Sequence, residues 1–162
     1  MSALDLAKEI ELKSKAHYLK QVEQGPGQLK GIFQVLANEE QHHYDLFCSI
    51  ETGKLHMKLD GQQLQEEVNS VFDKISRNFS QYEPISDAEA AYRKAYNFEK
   101  EAISYYQTLL SVNTDPQEKN ILEFIINQEK IHARLMDNLI VLVQSPKIWL
   151  ENAEWNHLDD AY

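Results

Sequence analysis

The sequence predicts an all-α protein built on a bundle of four long helices, arranged as two antiparallel hairpins. Apolar residues recur at helical spacing along four long segments. Only nine of the 162 residues are Gly or Pro, which is few for a sandwich, a barrel or a loop-rich fold. A chain of this length suits one domain with a small appendage.

The first hairpin is predicted from residues 2–24 and 28–52. Ser2 and Asp5 form an N-cap with an acid in the first turn. The run Gly25-Pro26-Gly27 ends the first helix, and Gly53 ends the second. Because the loop is short, the two helices should be antiparallel neighbours.

The second hairpin is predicted from residues 86–112 and 115–143. Ser86 and Glu89 have the spacing of a capping box at the start of its first helix. Asp115 followed by Pro116 is a typical start for its second helix, which should end before Pro146. These two helices should also be antiparallel.

A long connection and a short tail complete the predicted architecture. We expect residues 1–145 to form the bundle, including a crossover over residues 53–85. The tail, residues 146–162, should form a short helix on the bundle or on a second subunit of a homodimer. The crossover should hold a shorter helix with one apolar stripe, made of Leu64, Val68, Val71, Phe72 and Ile75. The apolar tail residues are Trp149, Leu150, Trp155 and Leu158.

Charge and cysteine content exclude several classes of function. The chain has 16 basic and 26 acidic residues, a net charge of −10, which repels nucleic acids and attracts cations. The single Cys excludes a disulfide framework and a rubredoxin-type site with four Cys ligands. The N-terminus lacks a secretory signal pattern, and the longest aliphatic run, 139–143, is too short to cross a membrane. We therefore expect a cytoplasmic protein.

Two Glu-x-x-His motifs lie within apolar helical stripes. Glu40 and His43 form one motif, and Glu129 and His132 form the other. Residues three apart share a helix face, so one carboxylate and one imidazole can bind the same ion. A buried carboxylate is costly without a partner and favours a cation. The same spacing recurs at Glu39/His42 and Glu154/His157. We interpret these pairs, and His17, as surface residues.

The two remaining helices each contribute a further acid. Glu11 precedes Glu40 by 29 residues, and Glu99 precedes Glu129 by 30, so the hairpins form a degenerate internal repeat. Four carboxylates and two divalent cations would balance in charge, and this donor set suits Fe(II), Mn(II) or Zn(II). The six predicted ligands are Glu11, Glu40, His43, Glu99, Glu129 and His132.

Other readings of these six residues remain open at this stage. The bundle could instead contain inward salt bridges and no metal, and Lys8 and Lys15 flank Glu11 at helical spacing. The cluster could also bind metal without turnover, or hold zinc.

Three stretches resemble the rubrerythrin group of the ferritin-like superfamily, over about residues 3–143. They are residues 98–106, 127–132 and 36–43, the last with Leu46-Phe47 after it. Bacterioferritin is similar in its ligand pattern. The resemblance implies a ferritin-like bundle with two iron ions that reacts with hydrogen peroxide or dioxygen. It also implies that Glu40 and Glu129 bridge the metals, while Glu11 and Glu99 each bind one.

The resemblance also assigns two tyrosines and shows two departures. Tyr18 and Tyr106 follow the acids Glu11 and Glu99 by seven residues, and in the family such residues would orient ligand carboxylates. Rubrerythrins proper carry a further Glu where this chain has Ala102, which weakens the case for a mechanism using that ligand. Without a rubredoxin domain, turnover needs a separate electron donor, such as a rubredoxin-type protein.

Four functions are consistent with the pattern. The leading hypothesis is a di-iron oxidoreductase that reduces peroxide or dioxygen. The second is a ferroxidase that stores iron in a cage, and the third is a helical adaptor without metal. A manganese catalase-like activity uses the same class of ligands. The size of the particle and its metal content would discriminate between these functions.

Overall fold

The computed structural model describes residues 2–54, 62–81 and 88–152. Short 3₁₀ turns occupy Gly27–Leu29 and Phe79–Gln81. The described residues contain no strand, which confirms the all-α prediction. The six helices are α1 (Ala3–Gln24), α2 (Lys30–Thr52), α3 (Gln62–Arg77), α4 (Ala88–Val112), α5 (Pro116–Gln144) and α6 (Pro146–Glu151).

The ends of the first hairpin follow the local sequence. Ser2 and Asp5 make the predicted reciprocal capping box at the start of α1. The helix ends at Gly25, whose N–H donates to the Gln21 carbonyl at 2.8 Å. The second helix begins slightly later than expected, because a 3₁₀ turn occupies the residues after Pro26. At its end, Gly53 adopts a φ of +65°, the left-handed conformation that glycine tolerates best.

In the second hairpin, helix α5 begins at the predicted residues. The Asp115 carboxylate accepts hydrogen bonds from the backbone N–H groups of Gln117 and Glu118, at 2.8 and 3.0 Å. Pro116 occupies the first helical position, where no intrahelical donor is needed. The Ser86 of the predicted capping box at the start of α4 lies outside the described residues.

The connection and the tail both carry a helix. Helix α3 buries the apolar stripe that was predicted for it and packs mainly against α2. Helix α6 places the fully buried Trp149 edge-on against Phe72 of α3, with ring centroids 5.3 Å apart. The tail therefore packs on the bundle as far as Glu151, while Trp155 and Leu158 lie outside the described residues.

The core consists of two apolar clusters, one toward each end of the four long helices. One cluster includes Phe33, Leu36 and Leu135, and the other includes Phe47 and Ile125. On α1, α2 and α4 the predicted metal ligands fall between the residues of these two clusters, and on α5 Glu129 does so while His132 directly follows Ile131 of the first cluster. Contacts are dense within each hairpin, α1 with α2 and α4 with α5, and sparser between the hairpins. The polar site therefore lies mid-bundle, where the hairpins meet.

None of the described helices combines the length and the apolar character that a membrane span needs.

Candidate metal centre

All four long helices direct a predicted ligand into the middle of the bundle. Each of these six side chains is buried, with at most 1% of its surface exposed. The neighbours one turn away on the same faces are small or apolar, such as Ser14, Leu36 and Ala102, so the acids cannot reach solvent. The six side chains brought together are Glu11 on α1, Glu40 and His43 on α2, Glu99 on α4, and Glu129 and His132 on α5.

The six residues form two overlapping groups of four. Within each group, one donor atom from every member lies within 4.8 Å of the others, a spacing that could hold a metal ion. Glu40 and Glu129 belong to both groups. The first group adds Glu11 and His43, and the second adds Glu99 and His132. The cluster can therefore accommodate two metal positions that share two carboxylates.

The shared carboxylates each offer one oxygen to each histidine. Glu40 places Oε1 at 3.0 Å from Nδ1 of His132 and Oε2 at 3.7 Å from Nδ1 of His43. Glu129 places Oε1 at 3.0 Å from Nδ1 of His43 and Oε2 at 3.0 Å from Nδ1 of His132. This arrangement fits a bridging role for Glu40 and Glu129 and leaves the other two acids to single positions.

Two buried tyrosines hold the acids that are not shared. The Tyr18 hydroxyl donates to Glu99, and the Tyr106 hydroxyl donates to Glu11. Each bond runs from one hairpin to the other. Burial raises the pKa of both phenols, and the nearby carboxylates raise it further, so both remain protonated donors. Each predicted tyrosine therefore contacts a candidate ligand on the opposite hairpin, and not the acid seven residues before it in sequence.

Protons, rather than lysines or arginines, balance the charge of this cluster. Burial raises the pKa of Glu11 and Glu99 well above the usual range, and the charges of Glu129 and Glu40 add to the effect. Burial also acts on Glu129, but His43 and His132 outweigh it and lower its pKa. These pKa shifts favour the neutral form of Glu11 and Glu99 and the ionised form of the shared acids, Glu40 and Glu129.

The two histidines carry the compensating positive charge. Burial alone would lower the pKa of His43, but the Glu129 carboxylate and its neighbours raise it well above 6.5. His132 behaves in the same way, because Glu129, Glu39 and Glu40 outweigh its burial. With both histidines protonated and both shared acids ionised, the six-residue cluster can be close to neutral without metal, and a bound metal would replace the histidine protons.

Several donor atoms of the cluster make no well-aligned hydrogen bond within the described part of the chain, although some of them lie 3.0–3.3 Å from a histidine nitrogen or a carboxylate oxygen. A buried polar atom without a partner is destabilising, and a cation that these atoms could share would satisfy them. Hard carboxylate oxygens with two imidazole nitrogens are a donor set typical of divalent transition metals. The atoms are Oε2 of Glu11, Oε1 of Glu40, Oε2 of Glu99, Oε2 of Glu129 and Nδ1 of His132.

One functional contact was missed by the sequence analysis. Glu39, interpreted as a surface residue, is partly buried, and its Oε2 lies 2.6 Å from Nε2 of His132. The Glu-x-x-His spacing paired Glu39 with His42, whereas its carboxylate contacts His132. The available signal was its position directly before Glu40, at the edge of the apolar stripe, where a side chain can reach across to the next helix.

The other sequence-predicted polar residues lie outside the cluster. His17 is partly buried, and its ring nitrogen lies 3.1 Å from the Ala91 carbonyl, to which it can donate. Burial lowers its pKa. His42 is also partly buried, packing edge-on against Phe124, so neither histidine is a fully exposed surface residue. Ala102 is buried at the position of the additional rubrerythrin acid, and Glu154 and His157 lie outside the described residues.

Comparison with known proteins identifies the family. The Rubrerythrin family model matches residues 3–140, most of the chain. No curated protein and no solved structure gives a significant match. The family match covers α1 to α5 and all six buried ligand candidates. The chain therefore belongs to the rubrerythrin family.

Proposed function

We propose that this chain is a non-haem di-iron carboxylate oxidoreductase that reduces hydrogen peroxide or dioxygen with electrons from a separate donor. The observation that carries the proposal is the pair of donor groups that share Glu40 and Glu129. A buried set of four acids and two histidines is what a binuclear carboxylate site requires. Membership of the rubrerythrin family supports iron as the metal.

The donor set suits more than one metal. Manganese and zinc can bind the same carboxylates and imidazoles as iron. Zinc has no redox chemistry, so a zinc-filled site would not reduce an oxidant. Manganese would instead favour a catalase-like reaction that needs no external electrons. The identity of the metal therefore decides between these reactions.

Each residue of the centre has a role in this proposal. Two bound iron ions would supply the two electrons needed to reduce one O–O bond. Glu40 and Glu129 offer an oxygen toward each histidine and would hold both ions. Glu11 and Glu99 each complete one position. The apolar clusters above and below the site exclude bulk water from it.

Tyr18 and Tyr106 orient the carboxyl groups of Glu99 and Glu11 and can hold protons at the centre. Their hydroxyl groups contact Glu99 and Glu11, the two acids with raised pKa. Reduction of one peroxide molecule to two waters consumes two electrons and two protons. The two phenols are therefore placed to hold protons beside the reacting oxygens.

We expect the electrons that reset the centre to come from a separate donor. Cys48 is the single cysteine, so the chain carries no four-cysteine iron site. A rubredoxin-type protein is a suitable donor for this purpose. The extra rubrerythrin acid is replaced by Ala102, so peroxide reduction here would use the six residues of the cluster without a seventh protein ligand.

The test is anaerobic loading with Fe(II), followed by metal analysis, an optical spectrum and a peroxide assay with reduced rubredoxin as the electron source. We expect about two irons per chain, a near-ultraviolet band after oxidation, and peroxide-dependent oxidation of rubredoxin. Glu129→Ala should lose both the band and the activity. Glu101→Ala is the matched control, because Glu101 is exposed on α4, near the cluster in sequence but outside it.

Other outcomes would contradict the proposal in distinct ways. Absence of iron, or a single tightly bound zinc, would leave a helical bundle without redox function. Oxygen evolution from peroxide in the absence of rubredoxin would favour a manganese catalase-like reaction. A large cage on size-exclusion chromatography, in place of the expected homodimer, would favour iron storage.

A further inference from the structure

Glu39 contacts the outer nitrogen of a candidate ligand from the neighbouring hairpin. Its carboxylate belongs to α2, and His132 belongs to α5. The distance of 2.6 Å between Oε2 of Glu39 and Nε2 of His132 is short for a hydrogen bond and typical of one to a charged acceptor. His132 is fully buried, while the Glu39 side chain is 15% exposed. The pair therefore lies at the boundary between the cluster and the surface.

This contact settles which nitrogen of His132 faces the cluster. A carboxylate can only accept, so Nε2 donates its proton to Glu39 and keeps that proton when a metal displaces the one on Nδ1. The lone pair is then on Nδ1, which lies 3.0 Å from both Glu40 and Glu129. A histidine held in this way is oriented for metal binding before any ion arrives.

Among the described residues, no carboxylate contacts the outer nitrogen of the second histidine, His43. The carboxylates that contact it all do so at Nδ1, on the cluster side. The hairpins otherwise repeat each other, since Tyr18 contacts Glu99 while Tyr106 contacts Glu11. In sequence, Glu39 directly precedes Glu40, whereas the equivalent position before Glu129 is the neutral Gln128. The two hairpins therefore differ in charge at the position that precedes each shared acid.

We infer that Glu39 is a positioning residue that makes the two metal positions unequal. It holds Nδ1 of His132 toward Glu40 and Glu129, so the position that contains Glu99 and His132 binds a divalent ion more tightly than the position that contains Glu11 and His43. The inference rests on metal binding in the proposed function, but it does not require any reaction with peroxide or dioxygen.

The test is an anaerobic titration with Co(II), followed by calorimetry and visible absorption. Wild-type protein should bind two ions in two separate steps. Removing a partner that orients a ligand typically weakens binding by about 10–100-fold, so Glu39→Ala should weaken the tighter step by that factor. Glu39→Gln keeps a weaker acceptor, so its cobalt affinity at the tighter step should lie between those of the wild type and Glu39→Ala. Glu101→Ala, the exposed control on α4, should leave both steps unchanged.

Histidine variants assign the effect to one position. In a His43→Gln background, Glu39→Ala should still weaken the remaining cobalt site by about 10–100-fold. In a His132→Gln background, the same change should alter cobalt affinity by less than about twofold, because the affected ligand is already absent. An equal loss in both backgrounds would indicate a general structural effect and overturn the inference. No loss in either background would also overturn it.

A spectroscopic measurement tests the inference without those histidine variants. In zinc-loaded protein, ¹⁵N–¹H NMR should show a protonated Nε2 on His132, with its proton resonance shifted by the carboxylate acceptor. That resonance should move or exchange faster in Glu39→Ala. If it is the same in both proteins, Glu39 does not position His132. Cobalt binding without peroxide turnover would contradict the proposed oxidoreductase while leaving this inference intact.

Discussion

Metal binding at the buried cluster is expected to release about four protons for each pair of divalent ions. Without metal, Glu11 and Glu99 hold one proton each, because burial and the neighbouring acids raise their pKa. His43 and His132 hold one further proton each, because their carboxylate neighbours outweigh burial and raise their pKa. A metal needs ionised carboxylates and neutral imidazoles, so all four protons must leave.

The sign of the pH dependence follows from this release. Binding removes protons, so metal affinity should rise with pH and fall as the medium becomes more acidic. While all four groups remain protonated in the metal-free protein, the overall constant for two ions changes by about 10⁴ per pH unit, or about 100-fold per ion. Glu40 and Glu129 contribute little to this slope, because histidine neighbours lower their pKa despite burial.

The assay is calorimetric titration with Zn(II) in buffers of different ionisation enthalpy, near pH 7. The slope of apparent enthalpy against buffer ionisation enthalpy gives the number of protons released. Glu129→Ala serves as the blank, since it should lose the shared carboxylate and with it the binuclear signal. Release of two protons or fewer, with two ions bound, would show that the acids are already ionised without metal, and would refute this account of the site.

Three further substitutions test the packing of the tail, a hydrogen bond to the cluster and the end of α2. Trp149→Ala should lower the free energy of unfolding by about 3–5 kcal/mol, measured by denaturant titration, because it empties a fully buried site against α3. Tyr18→Phe should retain two metals per chain by elemental analysis but lose about 1–3 kcal/mol of metal-free stability, since the Glu99 carboxyl loses its donor. Gly53→Ala should lower stability by about 1 kcal/mol in a thermal melt, because Gly53 has a φ of +65°. Unchanged stability in any of the three would contradict the contact or conformation on which it depends.

The helices and the ligand cluster could be predicted from the sequence because both depend on short-range spacing. The capping residues Ser2 and Asp115 lie beside the helices that they begin, and the stripe on α3 repeats at helical period. Acids in an apolar stripe are conspicuous because their burial is costly without a cation. The position of the cluster between two apolar layers follows from the same spacing.

The individual contacts between hairpins could not be predicted from sequence spacing. The bond from Glu39 to His132 joins residues 93 positions apart, and it depends on how α2 lies against α5. The crossed pairing of Tyr18 with Glu99 has the same origin, because spacing within α1 cannot reveal a partner on α4. The direction of each pKa shift also requires the assembled cluster, since it arises from charges on several helices.

The division of ligands between the hairpins affects how the protein folds. One metal position takes three donors from the first hairpin and Glu129 from the second, and the other takes three from the second and Glu40 from the first. Packing is dense within each hairpin and sparser between them. Bound ions therefore act as cross-links between two halves that could otherwise open separately. Metal loading should thus protect backbone amides of all four long helices from hydrogen exchange together, so that the bundle unfolds as one cooperative unit.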